Sequence, residues 1–185
     1  LKMPVDRGPA IMLYAGIVVD TGSFRFSNTT SICHRIAASL IAQGVNPAKM
    51  HHHLFENNQF YDIKLLGRIL LAIEQDPTGR IAWAVIPQRI SRQAYPSIDL
   101  AEMILNLLRS IKGLELAIVF KQVRAKKNKF RLNFRSQTNY DCNYLASLFG
   151  GGGHRNASGA TVRGNLQGIK RKVIKCAKEL MSSIG

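Results

Sequence analysis

The chain has 185 residues, 46% of them hydrophobic and 20% charged, with Lys+Arg 26 against Asp+Glu 11 and a formal net charge of +15. This length suits one ordinary domain or two small ones. The apolar fraction excludes a disordered polar chain, and the lack of any uninterrupted apolar run of about 18 residues excludes a membrane bundle. Cys33, Cys142 and Cys176 are odd in number and lack CxxC spacing, which argues against a disulfide framework and a structural zinc site and for a reducing cytoplasm. Residues 121–185 carry 14 Lys or Arg and 2 acids, against 12 and 9 in residues 1–120. A C-terminal basic excess points to a polyanionic partner, because clustered cations displace counterions from a phosphate chain; a charged face that only keeps the chain dispersed is the competing reading.

In chain order, Leu1-Lys2-Met3-Pro4 opens without a targeting segment and is read as a start inside a larger gene product. Ala10 to Val19 is a nearly continuous apolar run, expected as a strand buried on both faces, with a turn at Asp20-Thr21-Gly22-Ser23. Asn28, Thr29 and Thr30 are candidate caps of a helix with Ile32, Ile36, Leu40 and Ile41 on its apolar face, stopped by Gly44. Asn46-Pro47 starts a helix through about Phe55. A third helix carries Ile63, Leu66, Ile69, Leu70 and Ile73. Asp76-Pro77-Thr78-Gly79 is then a strong turn and the expected domain boundary, dividing 1–76 from 77–185. Beyond it the expected order is strand 80–87, helix 97–111 after a loop at Ser91 to Ser97, strands 114–121 and 129–136 with a hairpin tip at Lys126-Lys127-Asn128, helix 139–149, a glycine loop, strand 158–163 and helix 166–182. Strands alternating with helices make the fold class α/β.

Gly150-Gly151-Gly152-Gly153-His154-Arg155 is the most unusual stretch. Successive glycines persist where backbone takes positive φ or approaches something closely. Their N–H groups can form a nest for phosphate oxygens, with His154 and Arg155 as charged donors beside it. Upstream, the alternation from Phe130 to Ser136 puts Arg131, Asn133 and Arg135 on one strand face, and Arg135 could grip a phosphate in bidentate fashion. Asp20, at the end of the expected strand, lies where open α/β sheets place their sites, although an Asx turn explains it as well. His51-His52-His53 is read as helix surface, since successive helical side chains diverge.

The segment Ala15 to Phe26, containing Asp20-Thr21-Gly22-Ser23-Phe24-Arg25, resembles the fourth motif of the DHH phosphoesterases. Phe134-Arg135-Ser136, Asp141, Gly150 to His154 and Ala157-Ser158-Gly159 resemble the DHH-associated C-terminal domain with its GGGH loop, nearest to the nanoRNase and oligoribonuclease branch. The resemblance implies the end of a parallel-sheet catalytic domain followed by a smaller α/β substrate domain, and hydrolysis of phosphoesters by a manganese pair. It makes Asp20 a catalytic metal ligand, and it makes Arg135, Ser136, Gly151, Gly152, Gly153 and His154, with Arg155 beside them, the substrate contacts. The implied partners are short RNA or DNA or a phosphorylated nucleotide such as 3'-phosphoadenosine 5'-phosphate, with no membrane and with a homodimer as one assembly. The family's first three motifs have no counterpart here, so the chain is expected to be the C-terminal part of a longer phosphoesterase, inactive alone. A RecJ-like single-strand exonuclease and a non-catalytic basic nucleic-acid-binding module are the alternatives.

Overall fold

A computed structural model describes residues 7–93, 99–123 and 128–182. The opening tetrapeptide, residues 94–97 of the expected loop and Lys126-Lys127 of the expected hairpin tip lie outside the described residues. The chain divides into two compact units, one ending at Asn58 and one starting at Gln59.

Among the described residues the first unit holds three helices: α1 (Arg7–Asp20), α2 (Ser31–Ala42) and α3 (Pro47–Phe55). The expected strand at Ala10 to Val19 is therefore a helix. A continuous apolar run does not distinguish the two states, and at 14 residues α1 is longer than a buried strand usually runs. Its burial follows helical spacing, with Ala10, Tyr14 and Val18 in the core while Met12 and Val19 face outward. In α2, the Thr30 hydroxyl accepts from the Cys33 N–H at 3.3 Å, and Gly44 at φ 95° follows the helix end. The buried residues of α2 are Ala37 and Leu40, whereas Ile32, Ile36 and Ile41 of the expected apolar face are exposed. In α3, Asn46 caps the Lys49 N–H at 3.0 Å and Met50 reaches the core.

The second unit adds α4 (Phe60–Leu70), β1 (Glu74–Gln75), β2 (Ile81–Ile86), α5 (Gln88–Gln93), α6 (Leu100–Leu108), β3 (Leu116–Gln122), β4 (Lys129–Ser136), α7 (Cys142–Ser147), β5 (Gly152–His154), β6 (Ala157–Arg163) and α8 (Leu166–Ser182). The sheet order is β1-β2-β3-β4-β6-β5, with β2 and β3 parallel and the other neighbours antiparallel. The fold is mixed α/β. The units part at Asn58 and Gln59 rather than at the turn 76–79, because Leu65, Leu66 and Ile69 of α4 share a core with Ala82, Ala84, Ile86, Ile104 and Leu105. The turn is instead a tight connection between β1 and β2. Its hub is Asp76, 4% exposed, whose carboxylate accepts from the Ile81 N–H at 3.0 Å and the Thr78 hydroxyl at 2.8 Å.

Each sheet face has its own core. One side packs Ala117 and Val119 of β3 and Ala82, Ala84 and Ile86 of β2 against α4 and α6. The other packs Phe120, Phe130, Leu132 and Phe134 against Leu145 of α7 and Val173, Ala177 and Met181 of α8. Burying an aromatic or aliphatic side chain of this size contributes about 1.5–3 kcal/mol relative to exposure. The alternation along β4 is complete: Phe130, Leu132, Phe134 and Ser136 are buried, and Arg131, Asn133 and Arg135 are on the other side.

Candidate functional site

Helix α7 begins at Asp141, whose side chain accepts from the Tyr144 N–H at 2.9 Å, and is closed by Gly150, at φ 69°. Gly151 then leads into β5, whose residues Gly152 to His154 run as an edge strand against β6. A Cβ at Gly151 would overlap the Gly159 carbonyl and stand 2.6 Å from the Ala160 Cβ; one at Gly153, where φ is 146°, would stand 2.7 Å from the Ala157 carbonyl oxygen. Only at Gly152 is there room. The glycines thus serve a close backbone approach. The expected amide nest is not formed: the Gly150 N–H donates to the Ser147 carbonyl at 3.0 Å, the Gly151 N–H to the Ala146 carbonyl at 2.9 Å and the Gly153 N–H to Asn143 Oδ1 at 2.9 Å. Donors already satisfied inside the fold are not available to a ligand.

What the loop builds is a half-sheet surface. His154 pairs with Ala157 and Ala157 with Arg135; Gly152 pairs with Gly159 and Gly159 with Asn133; Thr161 pairs with Arg131 and Arg131 with Lys121. Residues directly opposite share a face, so these form three cross-strand rows on the side of the sheet opposite Phe130, Leu132 and Phe134. Helix α6 covers the β2–β3 part of this side, while Arg131, Thr161, Gly152 and His154 are exposed. Gly152, Gly159 and Ala157 keep the floor low between cationic and polar walls. By strand spacing, His154 and Arg135 lie about 10 Å apart across the sheet, and Arg131 lies about 13 Å from Arg135 along β4.

The expected site residues are placed unequally. His154 stands free on this face. Arg135 is on it too, yet its Nη2 donates to Glu102 Oε2 of α6 at 2.7 Å and its Nη1 to the Phe134 carbonyl at 3.0 Å. Ser136 is a correction: it is 1% exposed, on the core side, and its hydroxyl donates to the Tyr140 carbonyl at 2.9 Å. Arg155 sits in the turn between β5 and β6, with Nη2 donating to the Asn139 carbonyl at 3.1 Å. Asn143, Lys121 and Glu102 were not singled out in the sequence; cross-strand register brings Lys121, the packing of α6 brings Glu102, and α7 brings Asn143 to the Gly153 N–H.

Among the described residues the basic excess does not form one patch. Helix α8 carries Lys170, Arg171, Lys172, Lys175 and Lys178 on the opposite side of the sheet from Arg131 and His154. Part of it is neutralised locally: Lys170 Nζ bonds both Glu74 carboxylate oxygens at 2.8 and 2.9 Å, and Lys178 lies 3.6 Å from Asp76. The Lys170 ammonium and its hydrogen bonds hold the Glu74 carboxyl below its ordinary range.

In the first unit, Asp20 is the last residue of α1 rather than the end of a strand, and it is exposed. Asn28 Nδ2 donates to both its carbonyl and its carboxylate at 3.1 Å. The segment after it is strained: Gly22, Ser23 and Phe24 all have φ between 56° and 63°, and left-handed non-glycine residues cost roughly 1–3 kcal/mol each and persist where the surroundings enforce them. Here Thr21, buried, bonds the Ile17 carbonyl at 2.6 Å and accepts from the Phe24 N–H at 3.1 Å, and the Phe24 ring stacks on His34 at 4.9 Å. His51 and His52 are exposed and each meets a Glu56 carboxylate oxygen, at 3.1 and 2.9 Å, in keeping with a helix surface. Among the described residues no three His, Cys, Asp or Glu side chains are grouped to hold a metal ion. Asp20 alone does not fit a manganese pair, which needs several carboxylate and histidine ligands. Among the described residues no helix is long and apolar enough to cross a membrane.

Known proteins resemble this chain in sequence and fold. The chain is 28% identical over 177 residues to the bifunctional oligoribonuclease and PAP phosphatase NrnA of Thermus thermophilus, covering 95% of this chain and 52% of that protein. It is 28% identical over 153 residues to the NrnA of Bacillus subtilis, covering 83% of this chain and 47% of that protein. The chain therefore spans about half the length of these relatives. The fold matches that of an exopolyphosphatase-related protein from Bacteroides fragilis with a TM-score of 0.82 at 20% identity, over 96% of this chain and 53% of the other. Residues 85–179, which include β3 to β6, the glycine loop and most of α8, match the DHHA1 domain, and the chain belongs to that family.

Proposed function

We propose that this chain supplies the nucleotide-holding part of a manganese-dependent phosphoesterase acting on short oligoribonucleotides or on 3'-phosphoadenosine 5'-phosphate. The observation that carries the reading is the uncovered face of β4, β6 and β5, where His154, Arg131 and Asn133 stand around a floor of Gly152, Gly159 and Ala157. Low floor and cationic walls suit a nucleotide lying along the strands: the roughly 13 Å between the two arginine rows limits the bound piece to a few nucleotides. The names of the Thermus and Bacillus relatives support the substrate class. In this reading His154 and Arg131 hold phosphoryl oxygens through charge-assisted hydrogen bonds, and Arg135 is aimed by its ion pair with Glu102. Asp20 would supply one carboxylate to such a metal centre, which needs further ligands beyond it. With three free thiols, the compartment we propose is the reducing cytoplasm.

Fluorescence anisotropy of the 185-residue chain with labelled oligoribonucleotides of two to twenty nucleotides tests this. Affinity should level off at a few nucleotides, and His154→Ala and Arg131→Ala should each weaken it about tenfold, the value of one charge-assisted contact. Unchanged affinity in both variants, or affinity that keeps rising with length and falls steeply with salt, would refute the reading in favour of a basic nucleic-acid-binding module.

A further inference from the structure

A cavity of about 490 Å³ lies in the second unit at the far end of the sheet, lined by Arg68, Ile69 and Ala72 within or after α4, Val85 and Pro87 at the end of β2, and Arg89 and Ile90 of α5. That volume is in the range of about 300–1,000 Å³ usual for small-molecule sites. Among the described residues its back wall is an open strand edge. β1 covers only Ala82 and Trp83 of β2, and the Asp76 N–H bonds the Ile81 carbonyl at 2.9 Å, which fixes the odd-numbered residues of β2 as those whose backbone groups face β1. Strand alternation then points the N–H and C=O of Val85 out of the sheet on the uncovered side. At Pro87 the strand has ended, so one donor and one acceptor are offered side by side, too few for an added peptide strand and matched to the hydrogen-bonding edge of a purine base. Ile69, Pro87 and Ile90 give apolar walls for a flat ring. Arg68 and Arg89 are both exposed at the rim, and neither forms a salt bridge with any described residue.

We propose that this cavity is a second nucleotide site, taking a purine nucleoside 5'-monophosphate with its base on the Val85 backbone and its phosphate between Arg68 and Arg89. Three strands separate β2 from β5, so the site is distinct from the face that carries His154. Titration of the isotope-labelled 185-residue chain with adenosine 5'-monophosphate, followed by NMR, provides the test. The Val85 amide and the Ile69 and Ile90 methyl signals should shift, with adenosine and inorganic phosphate each at least tenfold weaker. Arg68→Ala and Arg89→Ala, both at exposed positions, should each weaken the response at least about fivefold, and His154→Ala should leave the Val85 response unaltered even if it abolishes oligonucleotide binding. A Val85 amide that does not move, shifts confined to β4–β6 and lost in His154→Ala, or inorganic phosphate matching the nucleotide would each overturn the proposal.

Discussion

Three neighbouring glycines should respond to the same substitution in different ways. At Gly151 an added Cβ would overlap the Gly159 carbonyl, with the Ala160 Cα at 2.7 Å; these are paired strand atoms that have no side-chain freedom to yield. At Gly153 the added atom would meet the Ala157 carbonyl oxygen at 2.7 Å and the Ser158 Cα at 2.8 Å, and φ of 146° adds conformational strain. Overpacking costs about 1–3 kcal/mol, so Gly151→Ala should lose about that much; at Gly153 the enforced glycine-only conformation costs about as much again, so Gly153→Ala should lose about 2–4 kcal/mol. Gly152 has only Asn143 Oδ1 near, at 3.5 Å, and Gly152→Ala should lie within about 0.5 kcal/mol of the parent. Urea melts at pH 7 measure all three. Its new methyl would nonetheless rise from the floor between His154 and Asn133, so Gly152→Ala should weaken oligonucleotide binding while leaving the melt in place. Equal destabilisation by all three changes would refute the assignment of this stretch to an edge strand docked on β6, and so would full tolerance at Gly151.

Asp76 should make stability fall in acid. Burial by itself would push its carboxyl up, but the bonds from the Ile81 N–H and from Thr78, with Lys178 nearby, outweigh that and hold it below the ordinary carboxylate range. A group depressed in the folded state stabilises above its unfolded value near 4 and loses that contribution as pH falls through the folded value; Asp76→Asn should flatten the decline in thermal midpoint below about pH 4, and an unchanged pH profile would count against the argument. Asp76→Ala should cost about 2–3 kcal/mol at pH 7 by stranding the buried Ile81 N–H. The cysteines should separate chemically: a hydrogen bond with the Thr30 hydroxyl lowers the Cys33 thiol, while burial pushes Cys142 up to about 11. A thiol reagent at pH 8, read by peptide mass spectrometry, should therefore modify native Cys33 well before Cys142, with similar rates contradicting the burial of α7.

Much of the second unit was legible in the sequence because its signals are local. The alternation of β4 from Phe130 to Ser136 marked the strand and both of its faces, and the apolar spacing of α8 gave the helix over 166–182 as found. Asn46-Pro47 and Thr30 marked helix starts through caps that the structure uses. The sequence by itself also singled out Asp20, Arg135 and the glycine stretch, since rare residue types in unusual runs are visible without coordinates.

Tertiary structure decided the rest. A uniformly apolar run such as Ala10 to Val19 suits a helix or a strand equally until its neighbours are known, and it became α1 with Asp20 at its end. Which groups remain free for a ligand is a property of the whole hydrogen-bond network: the amides of Gly150, Gly151 and Gly153 are consumed by Ser147, Ala146 and Asn143 and the Ser136 hydroxyl by Tyr140, while Arg135 is held in place by Glu102. Cross-strand register, which depends on residues up to 40 positions apart, alone sets His154 in line with Arg135 and Arg131 beside Lys121 and Thr161.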